Sequence, residues 1–200
     1  MAMRLPASER RTQLLEVATD VFSARGFHAT SMDDIAVAAG VTKPVLYQHF
    51  PSKRALYREL LDDVDEQLVT RLVDATARAT SGRERVQLGF AAYFRFVAEH
   101  RSAFRLLFGA SVRNDAEFAL VAQRTIDRLA ELITELIEIE GPTEQRRALA
   151  HALVGMCEAT SRRLANDDGE DDPDQLAQWL AEMAWFGLRG VRSGDSTEQA

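Results

Sequence analysis

The residues best suited to chemistry lie in one segment, Ser31–Arg54, which reads SMDDIAVAAGVTKPVLYQHFPSKR. Between positions 43 and 49 it contains a lysine, a phenol, an amide, an imidazole and small apolar side chains. The major groove of DNA presents acceptors, donors and thymine methyl groups, which such side chains can contact. Hydroxyl, phenol and lysine groups can also bind phosphates, which fixes position without reading sequence. The segment therefore points to a DNA-binding surface.

Short helices are predicted to position these side chains. Apolar residues recur at helical spacing from residue 8 to about 25, where Gly26 can close the last turn of the first helix. Ser31 can cap the second helix, because Asp34 three positions later completes a capping-box-like pair. Gly40 then provides the tight corner that leads into the third helix.

The third helix is expected from Lys43 to Phe50. Pro44 is tolerated there, because first-turn amides have no acceptor within the helix. Leu46 and Phe50 are four residues apart and should point to the interior, which leaves most other side chains of this helix outside. A helical hairpin that only packs is the alternative. The outward Tyr47 and its polar neighbours argue against it, because a packing hairpin has no need for them.

Charge is divided unevenly along the chain. The whole sequence carries a net charge of −7. Residues 1–54 contain seven Lys/Arg against five Asp/Glu, a net charge of +2, so the remainder carries −9. Only the docking face of a DNA-binding protein needs a positive potential, so this division is compatible with a nucleic-acid partner.

Composition predicts an all-α protein. The 200 residues are 46% hydrophobic, with only 11 Gly and 5 Pro, which is enough apolar content for a core and favours helix over strand. The single Cys157 excludes an intramolecular disulfide, and no Cys/His cluster has zinc-ligand spacing, so we expect neither a metal nor a cofactor. The N-terminus lacks the apolar run of a signal peptide, and no stretch approaches the ~20 apolar residues of a membrane span. We therefore expect a cytoplasmic protein.

The N-terminal motif closely resembles the DNA-binding domain of the TetR (tetracycline repressor) family of bacterial regulators. The resemblance covers roughly residues 8 to 60 and is carried by Phe22, Gly26, Ala29–Thr30–Ser31, Ile35, Ala38–Ala39–Gly40–Val41–Thr42, Leu46–Tyr47, His49–Phe50, Ser52–Lys53 and Leu56. It implies a three-helix helix-turn-helix DNA-binding domain at residues 1–54. A larger effector-binding and dimerisation domain would then occupy residues 55–200, giving about nine helices in total.

The same resemblance implies roles for individual residues of the motif. In such domains the matching positions divide into those that hold the DNA backbone and those that face the bases. The implied phosphate contacts are Ser31, Thr42, Tyr47, His49 and Lys53. The implied base contacts are Lys43, Pro44, Val45 and Gln48.

Aromatic residues recur at helical spacing in the C-terminal part of the chain. An ordinary hydrophobic core accounts for such a pattern. An effector pocket is the other interpretation, which the resemblance favours because family members bind effectors between these helices. The candidate pocket residues are Phe90, Tyr93, Phe94, Phe104, Phe108, Phe118, Met156 and Cys157.

The last predicted helix, from about Asp174 to Val191, has too wide an apolar surface for one packing partner. We expect its own subunit's core on one side and a second subunit, related by a two-fold axis, on the other. The resemblance implies a four-helix bundle made by the last two helices and their symmetry mates. The candidate interface residues are Ala152, Gly155, Ala159, Leu180, Met183 and Gly187.

These expectations describe a ligand-responsive, sequence-specific transcriptional regulator. We expect a repressor that binds a palindromic operator as a homodimer and is released by a small-molecule effector. A ligand-binding module without DNA activity and a general DNA-architectural protein without a discrete operator stay open as alternatives. An enzyme is not expected, because Cys157 and His151 lie about 240° apart around one predicted helix and do not converge.

Overall fold

The computed structural model of the chain describes residues 6–109, 115–139, 141–166 and 171–190. These ranges contain nine α-helices and no strand, so the predicted all-α fold of about nine helices is confirmed. The helices are α1 (Ala7–Ala29), α2 (Met32–Ala38), α3 (Lys43–His49), α4 (Lys53–Thr76), α5 (Gly82–Glu99), α6 (Arg101–Phe108), α7 (Ala116–Leu136), α8 (Thr143–Asn166) and α9 (Pro173–Gly190).

The chain divides into two compact units. The N-terminal unit comprises Met1–Asp65 with Ser102–Ala122, and the C-terminal unit comprises Glu66–Arg101 with Gln123–Ala200. The N-terminal unit is thus larger than the predicted DNA-binding domain, because α6 and the starts of α4 and α7 pack with the first three helices. Helices α4 and α7 each contribute residues to both units. The functional boundary after residue 54 stays a prediction.

Local sequence signals set the ends of the first helices. Gly26 has φ 80° and ψ 163° and interrupts α1, at the position where the first helix was predicted to end. The capping box at the start of α2 is present. The Ser31 hydroxyl accepts from the Asp34 amide at 3.1 Å, and the Asp34 carboxylate accepts from the Ser31 amide at 2.8 Å. The Ser31 hydroxyl also donates to the Asp34 carboxylate, and this hydrogen bond together with the one from the Ser31 amide lowers the pKa of the Asp34 carboxyl.

The core of the N-terminal unit forms around side chains that are fully buried. Leu46 and Phe50 of the third predicted helix are both 0% exposed, as predicted. Burial of one such side chain contributes about 1.5–3 kcal/mol. The Tyr57 ring lies at the centre of an aromatic cluster, 4.9 Å from Phe22 and 4.5 Å from Phe118 between ring centroids. Phe118, from the start of α7, is therefore part of this core.

The C-terminal unit is built on α5, which packs against α8 and α9. Ser81 caps α5, because its hydroxyl accepts from the Glu84 amide at 3.2 Å. The buried side of α5 includes Phe94 and Val97, which are 0% exposed. None of the helices in the described part of the chain is both long and apolar enough to cross a membrane.

Gly40 provides a test of how the corner before α3 is formed. Its φ of +64° is left-handed, and a Cβ placed on it would meet nothing within 4 Å. Gly40→Ala should therefore lower the free energy of unfolding by about 1–2 kcal/mol through backbone strain alone. Gly40→Asn is the matched control, because asparagine tolerates this conformation and should cost less. Urea unfolding of both variants measures the difference, and equal losses would contradict the strain assignment.

Candidate nucleic-acid interface and ligand cavity

Helix α3 has one buried side and one exposed side. Leu46 and Phe50 are buried, whereas Val45 and His49 are half-buried. The predicted groove-facing and phosphate-facing residues of this helix are otherwise exposed, and no Asp or Glu occurs between residues 41 and 54. The exposed positions are Thr42, Lys43, Pro44, Tyr47 and Gln48.

Arg11 holds the C-terminal end of α3. Its guanidinium donates to the backbone carbonyl of His49 at 2.8 Å and to the Glu59 carboxylate of α4 at 2.7 Å. The same group lies 4.5 Å from the centroid of the Phe50 ring. Arg11 thus links α1, α3 and α4 and leaves the His49 imidazole outside this contact.

Lys53 was predicted to hold a phosphate, and the structure gives its ammonium group two partners within the N-terminal unit. It donates to the backbone carbonyls of Phe27 and Thr30, each at 2.7 Å, and lies 4.4 Å from the centroid of the Phe27 ring. Phe27 lies in the last turn of α1 and Thr30 directly follows this helix, so Lys53 stabilises the connection into α2. An ammonium group has three N–H donors, so one remains for a phosphate. The phosphate contact stays a prediction.

Lys43, a predicted base contact, pairs with Asp33 of α2. The nearest N–O distance is 2.9 Å, and both side chains are more than half exposed. The hydrogen bond to Asp33 raises the pKa of the Lys43 ammonium, which therefore keeps its charge. An acidic residue thus lies beside the first residue of α3, where approaching DNA would compete with it for Lys43.

The two predicted phosphate-binding hydroxyls differ in what they already contact. The Ser31 hydroxyl takes part in the capping box and donates to the Asp34 carboxylate at 2.5 Å. The Thr42 side chain makes no capping hydrogen bond to α3 and is exposed. Ser31, Thr42 and Lys53 stand at the starts of α2, α3 and α4, where free backbone amides also favour anions.

Sequence reasoning missed Arg11 and Asp33. Arg11 follows an identical residue, Arg10, in a polar stretch, and only the folded chain brings it to α3. Asp33 stood out only as part of an acidic pair at the start of α2, which is usual for a helix N-terminus. Neither position carries a pattern that predicts a contact with a residue of another helix.

The C-terminal unit contains a cavity of about 660 Å³. Its wall is formed by α5, α7, α8, α9 and the end of α4, and most of the lining side chains are aliphatic. A mostly apolar cavity with few polar groups is typical of a small-molecule site. Three predicted pocket residues, Phe90, Tyr93 and Cys157, line it.

The other predicted pocket residues lie elsewhere. Phe94 and Met156 belong to the C-terminal unit but do not line this cavity. Phe104, Phe108 and Phe118 belong to the N-terminal unit, where Phe118 packs on Tyr57. Helical spacing identified these residues as apolar but did not distinguish between the two interiors.

Arginines that the sequence analysis did not single out also line the cavity. Arg85 of α5 pairs with Glu138, which follows α7, at an N–O distance of 2.6 Å. The guanidinium carbon of Arg189 lies 5.7 Å from the Trp185 ring centroid on α9. In contrast, burial raises the pKa of the Cys157 thiol to about 12, so this group is neutral at physiological pH.

The predicted interface residues lie on helix faces that the described residues of the chain leave largely uncovered. On α8, Ala152, Gly155 and Ala159 are exposed at spacings of three and four. A Cβ placed on Gly155 would meet nothing within 4 Å. The candidates on α9 are Leu180, which is half-buried, and Met183 and Gly187, which are exposed.

Two large apolar side chains extend the exposed surface of α9. Trp179 is 60% exposed and Phe186 is 66% exposed. Large apolar side chains exposed side by side often mark a protein–protein interface. No group of three or more His, Cys, Asp or Glu within the described ranges could hold a metal ion.

Family models match both parts of the chain. A model described as bacterial regulatory proteins, tetR family, matches residues 14–60. A second model, described as tetracyclin repressor-like, C-terminal domain, matches residues 83–187, which is more than half of the chain.

Similar proteins cover nearly the whole length. The HTH-type transcriptional activator FasR of Mycolicibacterium smegmatis is 35% identical over 94% of this chain and 87% of that protein. The HTH-type transcriptional repressor KstR2 of Rhodococcus jostii is 28% identical over 94% of this chain and 83% of that protein. Among solved structures, a TetR-like transcriptional regulator from Rhodococcus sp. RHA1 is 36% identical, with a TM-score of 0.80 over 94% of this chain and all of that one. The chain therefore belongs to the TetR family of bacterial transcriptional regulators.

Proposed function

We propose that this regulator is a ligand-responsive repressor that binds a palindromic operator as a homodimer. The observation that carries the proposal is the exposed side of α3, where a cation, a phenol and an amide stand together on a helix anchored by its opposite side. In this proposal Lys43, Pro44, Val45 and Gln48 face bases. The phosphate contacts are Ser31, Thr42, Tyr47, His49 and Lys53.

The exposed apolar faces of α8 and α9 support the homodimer. Small side chains allow two helices to approach closely, and Met183 with its large apolar neighbours would be covered by the second copy. A two-fold dimer places two copies of α3 in successive major grooves, about 34–36 Å apart on B-DNA. The operator should therefore contain two half-sites related by a dyad.

The cavity supports a response to a small molecule. A ligand shifts the regulator between two states only by the difference in its affinity for them, typically about 1–3 kcal/mol. Helices α4 and α7 each line the cavity with some residues and contribute others to the N-terminal unit. They are thus the elements through which an occupied cavity can alter DNA binding in this proposal.

The two named relatives differ in whether they activate or repress transcription, since FasR is named an activator and KstR2 a repressor. We favour repression, because a dimer bound over a promoter blocks the polymerase without any contact between the two proteins. Activation is the second candidate, supported by the higher identity to FasR. A reporter gene behind the operator distinguishes them: loss of the regulator should raise expression if it represses.

Selection of the genomic DNA fragments that the protein binds tests whether it recognises a discrete palindromic operator. Enrichment of one palindromic motif is the expected result. A ligand-binding module without DNA activity would enrich nothing, and an architectural protein would enrich fragments without a shared motif. Either outcome would contradict the proposal.

Gln48 and Tyr47 should differ in what their loss changes. Gln48→Ala should alter which base is preferred at one position of each half-site, at a cost of about 1–3 kcal/mol for the original operator. Tyr47→Phe should weaken binding about equally for all sequences, because a phosphate contact carries no sequence code. Fluorescence anisotropy with single-base operator variants measures both. A Tyr47 variant with altered base preference would show that its assignment is wrong.

Lys53 should affect stability as well as DNA affinity. Its ammonium group donates to two backbone carbonyls, so Lys53→Met should lower the free energy of unfolding by about 1–3 kcal/mol. DNA affinity measured below the unfolding transition should also fall, equally for all operator sequences. Tyr47→Phe is the control, because the Tyr47 side chain is 43% exposed and its variant should unfold like the wild type. Unchanged stability of Lys53→Met would refute the structural role.

A large side chain at position 155 should be compatible with folding of the single chain but should disrupt the dimer. A Cβ at this position meets nothing within 4 Å, and leucine has a higher helix propensity than glycine, so Gly155→Leu should not destabilise α8 itself. It should shift the dimer towards monomer in sedimentation and weaken operator binding at least about tenfold. Thr70→Leu, at an exposed position of α4, is the control and should remain dimeric. A Gly155→Leu variant that dimerises like the wild type would place the interface elsewhere.

A further inference from the structure

The charged residues of the cavity lie together at one end. Helix α5 lines the cavity from Gly82 to Tyr93, a distance of roughly 16 Å at 1.5 Å per residue. A Cβ placed on Gly82 would lie 3.5 Å from both the Glu138 carboxylate and the Trp185 ring. Arg85, one turn further along α5, pairs with the same Glu138. The charged end of the cavity is therefore the end at which α5 begins.

The other end of the cavity carries no charge. Burial raises the pKa of Tyr93 well above its ordinary value and that of Cys157 to about 12, so both groups are neutral. The Thr76 hydroxyl already donates its hydrogen to the Leu72 carbonyl of its own helix at 2.8 Å. An ionised group placed among the aliphatic side chains here would lose hydration without gaining a partner of opposite charge, which is unfavourable. This end therefore suits an apolar group.

At the charged end, the two arginines are not balanced by acidic residues. Arg85 is paired with Glu138, at 2.6 Å. Arg189 lies against the Trp185 ring, and within the described part of the chain no carboxylate comes within ion-pair distance of it. Two cations and one carboxylate leave a net charge of +1 among the residues that line the cavity. Arginine binds carboxylates and phosphates through two parallel hydrogen bonds, so an anion fits this end.

We infer that the cavity binds an elongated amphipathic anion. Its apolar body lies along α5 towards Tyr93 and Cys157, and its carboxylate or phosphate binds Arg189 and Arg85. The anion takes the place of Glu138 as the partner of Arg85. This inference rests on the proposed function in one respect: the cavity is taken to be the effector site.

Calorimetric titration of the full chain with dodecanoate and dodecanol tests the inference, because the two probes share the apolar chain and differ in charge. The wild type should bind dodecanoate at least tenfold more tightly. Arg189→Met should remove most of this preference and leave dodecanol binding nearly unchanged. Glu138→Gln should strengthen dodecanoate binding several-fold, because it removes both a competitor for Arg85 and a like charge.

Arg162→Met is the matched control, because Arg162 is a half-exposed arginine of α8 that does not line the cavity. It should bind both probes like the wild type. The inference is wrong if dodecanoate does not bind, if dodecanol binds equally well, or if Glu138→Gln weakens dodecanoate binding. The Glu138 variant keeps the test decisive if Arg189→Met fails to fold. A further titration with dodecyl phosphate shows whether the cavity prefers a phosphate or a carboxylate, since the preferred anion binds more tightly.

The operator affinity of the ligand-free chain separates this inference from the proposed function. A chain that binds its operator but not dodecanoate contradicts the inference alone. A chain that binds dodecanoate with the expected variant pattern but recognises no operator contradicts the proposed function alone.

Discussion

Helix α3 has only seven residues, and a helix this short is not stable by itself in water. It persists because its neighbours hold it from one side. Leu46 and Phe50 are fully buried in the N-terminal unit, and the Arg11 guanidinium binds the last carbonyl of the helix. The exposure of Tyr47 and Gln48 is a consequence of this anchoring, because the buried side fixes which side faces out. In the proposed function, DNA recognition by α3 therefore depends on packing that never touches DNA.

The centre of the C-terminal unit, in contrast, is not tightly packed. Protein interiors are normally filled to crystal-like density, and an unfilled volume forfeits packing contacts. This unit nevertheless keeps a cavity of about 660 Å³ among α5, α7, α8 and α9, with a neutral end at Tyr93 and a charged end at Arg189. A polarised cavity of this kind is a cost to the empty protein and a source of affinity for a ligand of matching polarity.

Local signals made the fold and helix α3 predictable from the sequence. The Ser31–Asp34 capping box, the left-handed Gly40 and the buried Leu46 and Phe50 all act within a few residues, so spacing alone identified them. The cavity was harder to predict. Phe118 was expected in a pocket, but it packs on Tyr57 in the N-terminal unit, 61 positions away in sequence.

The contacts of the charged side chains were also missed, for the same reason. The partners of Lys53, Arg85 and Arg11 are 23 or more positions away in sequence, and no periodicity encodes such pairs.

Methylation protection of guanine N7, a major-groove atom, tests most directly whether two copies of α3 read successive major grooves of one operator. We predict two clusters of protected guanines related by a dyad, with centres about 10–10.5 base pairs, or a multiple of this, apart. A single protected cluster, or no protection on a fragment that the protein binds tightly, would contradict it.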